Sequence, residues 1–288
     1  KGLAHRWSLA FLPDGTILVT ERAGRLRAVR NGVLDPQPIA GVPGVRAVGL
    51  SGLMDVALHP KFPENHFIYL TYTKPLGDDR GTVALARGVW TGTELTDVRD
   101  VFVAAGGSGG ASRIAFGQDG TLYMTAGGGQ GNGAQDPNSH AGKVLRLRDD
   151  GTVPTDNPFV GRSGYKPEVF SLGHRNSLGL AVHPGSGEVW ENENGPNGGD
   201  EINIIRAGRN YGWPIVSYGR TYPGPWQSEQ FWQKGFEQPA VIWVPSIAVS
   251  GMMFYTGDRL PKWKGDVFVG GMRTGEVPRT GHLERILI

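Results

Sequence analysis

The sequence predicts an all-β fold, a β-propeller with blades of about four strands. Three observations carry this. Short apolar runs are separated by Asp-Gly and Pro/Gly turns. The turn-flanked unit returns at intervals of roughly 45 to 75 residues, in the range of propellers and solenoids. No stretch offers three turns of amphipathic helical periodicity. A β-sandwich accommodates the same strands but gives no reason for similar modules to repeat. The 46 glycines and 20 prolines lie scattered among apolar alternations, so they punctuate strands and do not form a low-complexity tail.

The first unit, residues 11–30, reads FLPDGTILVTERAGRLRAVR: an apolar residue, Asp-Gly, a strand ending in Thr20, then a partner strand over residues 25–30. Residues 57–73, ALHPKFPENHFIYLTYT, repeat the plan with a Pro-rich turn. Residues 116–131, FGQDGTLYMTAGGGQG, return to the first unit's Asp-Gly-Thr. Residues 181–195, AVHPGSGEVWENENG, and 254–271, FYTGDRLPKWKGDVFVGG, give the fourth and fifth units. His59 and His183 precede prolines at matching places and read as structural. Residues 283–288 read as a strand that stops without a turn. A propeller must close its ring, so either the chain closes with fewer blades or a final blade is missing; the second is the expectation, one domain over residues 1–288 with its last blade incomplete at the C-terminus.

Composition excludes several functions. The formal net charge is +2, and no basic cluster is interleaved with aromatics, which argues against nucleic acid. No apolar run approaches the ~20 residues of a membrane helix. Cysteine is absent, which removes disulfides, thiolate nucleophiles and Cys-ligated zinc. The chain starts at Lys1 without a signal-peptide pattern, as a mature or trimmed form does.

Candidate chemistry concentrates in NENGPNGGDEINII, residues 192–205, where Asp200 and Glu201 follow a Gly-Pro-Asn run. Two readings stand for this pair: a polar surface turn, or a hard-cation site of carboxylates and freed carbonyls. Together with SLGHRNSLGLAVHP (171–184), GRNYGWP (208–214), DVALHP (55–60), GKVLRL (142–147) and DNPF (156–159), this segment resembles the soluble quinoprotein sugar dehydrogenases. These are the pyrroloquinoline-quinone-dependent glucose/sorbosone, or aldose, dehydrogenases. The resemblance covers nearly the whole chain and implies a six-bladed propeller, calcium and pyrroloquinoline quinone as cofactors, a sugar substrate, an external electron acceptor and a periplasmic or secreted location.

The resemblance also assigns roles. Gly195 and Pro196 match the carbonyl donors to a calcium that also binds the quinone. Glu201, and Tyr211 through its backbone, match the ligands of a nearby structural calcium. Asp200 is either a ligand or a tie within the turn. Arg175 matches the arginine against the quinone, where a guanidinium stabilises charge as the cofactor is reduced; pairing with a local acid is the structural alternative. Asn176 fixes a loop or donates to the cofactor. Arg273 falls where the family has a basic residue for a cofactor carboxylate.

The pattern breaks on the proton-handling side. The family's general-base histidine stands four residues before an arginine, and here that position is Gly109, four before Arg113. An acid position reads Gly128, and two glutamine positions read Leu50 and Leu178. His140 is the nearest substitute base, with Asp136 or Gln135; its structural reading is a loop histidine. A different substrate and base, binding without turnover, or a slipped register in the Gly-rich loop also account for the break. Trp226 and Trp232, in an insertion between units, are either a sugar platform or packing. The reading is a quinoprotein sugar oxidoreductase; the alternative is an impaired propeller of the same descent that binds a carbohydrate or protein partner.

Overall fold

The computed structural model describes residues 1–105, 109–128, 132–274, 277 and 280–288. Its strands form five antiparallel sheets in chain order. The first holds β1 (Arg6–Phe11), β2 (Ile17–Glu21), β3 (Arg25–Arg30) and β4 (Val33–Leu34). The second holds β5 (Leu53–Leu58), β6 (Phe67–Gly77), β7 (Arg80–Trp90) and β8 (Leu95–Val103). The third holds β9 (Ile114–Phe116), β10 (Leu122–Ala126), β11 (Lys143–Leu147) and β12 (Val169–Leu172). The fourth holds β13 (Ser177–Val182), β14 (Val189–Glu193), β15 (Asp200–Ile205) and β16 (Val241–Trp243). The fifth holds β17 (Val249–Phe254), β18 (Val267–Gly271) and β19 (His282–Ile286). Among the described residues, one helical turn, Phe62–Asn65, and one 3-10 turn, Pro261–Trp263, complete the elements.

The six-bladed expectation is therefore corrected: the described residues form five blades, the fifth with three strands. Each sequence unit supplies one sheet, and residues 283–286 pair within the fifth sheet instead of opening a sixth. The sixth blade came from the resemblance and not from a repeat unit of this chain.

The recurrent turns have one local cause. In Asp14-Gly15-Thr16 the Asp14 carboxylate accepts the Thr16 N–H at 2.8 Å, and Gly15 takes a positive φ of 84° that only glycine adopts freely. Asp119-Gly120-Thr121 repeats the device at 3.0 Å. His59 and His183 act similarly, each accepting a backbone N–H of its own turn through Nδ1.

The core lies between sheets, which follows from strand alternation. On β6, Ile68, Leu70 and Tyr72 pack toward the first sheet, while Tyr69 packs toward the third. Four apolar clusters result, one per interface between successive sheets. Each fully buried large side chain in them contributes about 1.5–3 kcal/mol. The innermost strands β1, β5, β9, β13 and β17 pack in that order. Between the fifth sheet and the first lies an apolar cleft lined by Trp7, Leu9, Met253, Phe268 and Leu283.

Candidate active site

Four of the five innermost strands, β1, β5, β13 and β17, break register near their starts. Such irregularities re-aim side chains at a rim. The segments entering β5, β9, β13 and β17 bring Leu50 and Ser51, Gly109 and Gly110, Arg175 and Asn176, and Ser246 and Ala248 to one mouth of the propeller. Connections between the second and third strands of the third, fourth and fifth blades add Gly128, then Asn194, Gly195 and Pro196, then Arg273. Together they enclose a cavity of about 590 Å³, a size suited to a small-molecule ligand.

Two arginines give this cavity its charge. Arg175 donates from Nη1 to Asn194 O and Gly195 O, both at 2.9 Å, and its guanidinium lies 5.2 Å from the Trp213 ring. Its backbone N–H donates to Glu193 Oε2. The Nε atoms of Arg175 and Arg273 are enclosed and have no hydrogen-bond partner among the described residues. Buried donors are rarely left in that state. The local-acid alternative for Arg175 holds only for its backbone.

Asn176 holds the glycine-rich segment. Its Oδ1 accepts the Ala111 N–H at 3.0 Å, and a Cβ on Gly110 would stand 2.9 Å from that same oxygen. Gly128 has φ +84° and packs so closely that a Cβ there would lie 2.1 Å from Gly109 O. The glycines are thus a close backbone approach and leave no side chain to handle a proton.

The calcium residues divide between two places. Gly195, Pro196 and Asp200 line the main cavity. Gly195, Glu201 and Tyr211 line a second, much smaller one behind it, with Glu193 and Ser217. That space is about 10 Å³, room for one water-sized particle. Asp200 ties the turn: its Oδ1 accepts Gly195 N at 3.0 Å and Ser246 Oγ at 2.7 Å, and Oδ2 accepts Val249 N at 3.2 Å. Burial raises its pKa against those bonds. Glu201 lies beside Glu193, opposite it across β14 and β15. Burial first, then the Glu193 charge, pushes the Glu201 carboxyl well up. A carboxylate in that state is stabilised by an adjacent cation. The oxygen donors fit calcium, with one reservation of geometry: Gly195 O already accepts from Arg175. Tyr211 holds its segment through its hydroxyl, which donates to Ile204 O at 2.6 Å.

His140 is not brought to the cavity. It is buried, its Nδ1 accepts the Ala105 N–H at 2.9 Å, its Nε2 lies 3.4 Å from Glu168 Oε2, and its ring meets Phe102 edge-on. The structure places it as the loop histidine, at the seam of the second and third blades. Gln135 bonds Asn210 and Trp213, and Asp136 accepts the Asn138 N–H. Neither lines the cavity. Trp226 packs in the insertion against Phe231 and Arg220, and Trp232 is exposed. The insertion instead presents Tyr222 to the cavity. Sequence reading missed Tyr222, Ser51, Ser246 and Ala248; the insertion's aromatic content was the one signal for the tyrosine.

A family model described as Glucose / Sorbosone dehydrogenase matches residues 3–285. The aldose sugar dehydrogenase YliI of Escherichia coli is 40% identical over 96% of this chain and 77% of its own length. The crystal structure of the soluble aldose sugar dehydrogenase from Escherichia coli, in the apo form, superposes with a TM-score of 0.90 at 37% identity, covering 99% of this chain and 87% of that one. The PQQ-bound aldose sugar dehydrogenase from Streptomyces coelicolor gives a TM-score of 0.75 at 28% identity, covering 99% and 82%. Matching over nearly all its length, with the arginine-lined cavity at the propeller mouth, the chain belongs to the glucose/sorbosone dehydrogenase family of sugar dehydrogenases.

Proposed function

We propose that this protein binds pyrroloquinoline quinone in the arginine-lined cavity, beside calcium, and oxidises an aldose or related sugar alcohol there, passing electrons to an external acceptor outside the cytoplasm. The observation that carries the reading is that two arginines, Arg175 and Arg273, line one cavity together with the Gly195-Pro196 loop. When bound, the quinone supplies the hydride acceptor. Arg175 and Arg273 supply positive potential and directed donors for its oxygens and carboxylates. Asn176 keeps the glycine segment close, and Tyr222 closes the cavity from the insertion. The carbonyls of Gly195 and Pro196 would hold the calcium beside the quinone, and Glu201 with the Tyr211 carbonyl a nearby structural calcium, with Asp200 fixing the turn.

A second reading rests on a specific observation. Among the described residues the cavity lining contains no histidine, and the one carboxylate among them, Asp200, already accepts three hydrogen bonds. Loss of a general base costs about 10² to 10⁴ in rate. The impaired propeller, binding a carbohydrate or protein partner, is favoured to that extent.

Titration of the metal-stripped protein with pyrroloquinoline quinone, with and without calcium, tests both. Calcium-dependent binding followed by bleaching on aldose addition supports the enzyme. Binding without reduction by any sugar supports the second reading, and no binding sinks the quinone assignment.

A further inference from the structure

A buried polar cluster lies on the face of the fourth sheet that meets the third. Glu191 and Glu193 alternate along β14, so both carboxylates point to this face. His174, just before β13, faces them. All three are almost completely buried. His174 Nδ1 is 3.7 Å from Glu191 Oε2 and 3.6 Å from Glu193 Oε1. These separations are too long for hydrogen bonds. Two donors on one zinc, with bonds of about 2.1 Å, stand about 3.4–3.6 Å apart.

The surroundings orient these groups. Ser171 Oγ lies 2.8 Å from His174 Nε2, and in the tautomer with the proton on Nε2 it accepts that proton, leaving the Nδ1 lone pair free. The His174 ring stacks on Tyr211 at 4.7 Å, which fixes its plane. Asn203 Nδ2 donates to Glu191 Oε2 and Glu193 Oε1, both at 3.2 Å. Glu193 Oε2 accepts the backbone N–H groups of Arg175 and Asn176. Yet His174 Nδ1, Glu191 Oε1 and Asn203 Oδ1 are enclosed and have no partner among the described residues. Two buried carboxylates facing one imidazole leave negative charge uncompensated, which is costly unless a cation meets it.

We propose that His174, Glu191 and Glu193 bind a divalent transition-metal ion of the zinc or manganese type, at a site that adjoins the calcium residues through Glu193 but has its own ligand set. An imidazole nitrogen among carboxylates suits such an ion, whereas calcium takes oxygen donors. The site sits inside the sheet interface, behind the Arg175-Asn176 segment whose N–H groups Glu193 accepts, and its role is to lock β13 and β14 against the third blade.

The test uses metal-stripped protein with calcium held saturating and no quinone, so its outcome is independent of the redox reading. Zinc uptake is measured against a chromophoric chelator, and cobalt(II) is added as a visible probe of nitrogen coordination. Expected are one tight zinc per chain and ligand-field bands from bound cobalt, with affinity weakened roughly tenfold or more in Glu191→Leu. The calcium response of that variant stays unchanged. If the variant fails to fold, the cobalt spectrum of the native chain decides. Cobalt showing only its aqueous spectrum, or zinc uptake equal in Glu191→Leu, overturns the proposal and leaves protonated buried acids as the explanation.

Discussion

The Arg175 guanidinium and the Gly195 carbonyl are hydrogen-bonded at 2.9 Å, so the residue proposed to meet the quinone also grips the loop proposed to hold calcium. Their functions are coupled through one bond. Arg175→Lys replaces a planar fork by a single ammonium and cannot serve both. The expected outcome is roughly 10- to 100-fold weaker quinone binding, the worth of one charge-assisted bond, with little change in thermal stability. Titration by cofactor absorbance checks it. An unchanged affinity would show that the two roles are independent.

Gly109 and Gly128 make a matched pair of opposite expectation. A Cβ built on Gly109 meets nothing within 4 Å among the described residues, and its φ lies outside the positive range. Gly109→His is therefore accommodated, and if the missing base limits the reaction, turnover rises about 10² to 10⁴-fold. Gly128 has φ +84° and a backbone oxygen 2.1 Å from the new Cβ, so Gly128→Asp costs on the order of 1–3 kcal/mol. Steady-state assays with a dye acceptor and urea melts separate the two effects.

Calcium and pH are linked through Glu201. Its folded pKa stands above the ordinary 4.5, so between those values the folded state holds a proton that the unfolded chain has lost. Stability of the calcium-free protein therefore falls as pH rises above about 4.5 and levels off beyond the folded value. Calcium at a hundredfold its Kd adds about 2.7 kcal/mol. In Glu201→Gln the pH slope flattens and the calcium-dependent rise in Tm disappears. Melting curves at several pH values, with and without calcium, measure both.

Lys143 is wholly buried and donates to Gly133 O, Ala134 O and Ala141 O at 2.9, 3.0 and 2.8 Å. Burial lowers its pKa to about 7, against the Asp136 charge, which favours the ammonium. With a folded pKa below the unfolded 10.5, this group's contribution to stability rises with pH between about 7 and 10.5. Lys143→Met removes that rise and leaves the Ala141 carbonyl without a donor among the described residues, since Ala134 O still accepts the Gly173 N–H and Gly133 O the Asp136 N–H, for a loss of about 1–3 kcal/mol if water does not reach it. Urea unfolding from pH 6 to 10 provides the check.

The sequence by itself determined the strand modules and their turns. Asp14-Gly15-Thr16 and Asp119-Gly120-Thr121 each close their turn within three residues, so nothing distant is needed to read them. It also placed the Gly195-Pro196 loop, Arg175 and Asn176 in one motif set, because rim segments and the loops they support are read in short strings. The tertiary structure decided what meets what. His140 and Gly109 are close to the same stretch of chain, yet sheet packing turns the histidine into the seam with Phe102 and Glu168. Glu201 and Glu193 face each other only through the β14–β15 register, and His174 reaches Glu191 only because the third and fourth blades pack face to face. The place of residues 283–286 was likewise a tertiary outcome: they pair with β18 within the fifth sheet. Local turn chemistry is encoded by neighbours in sequence, whereas charge pairing and cavity lining depend on which faces of distant strands are pressed together.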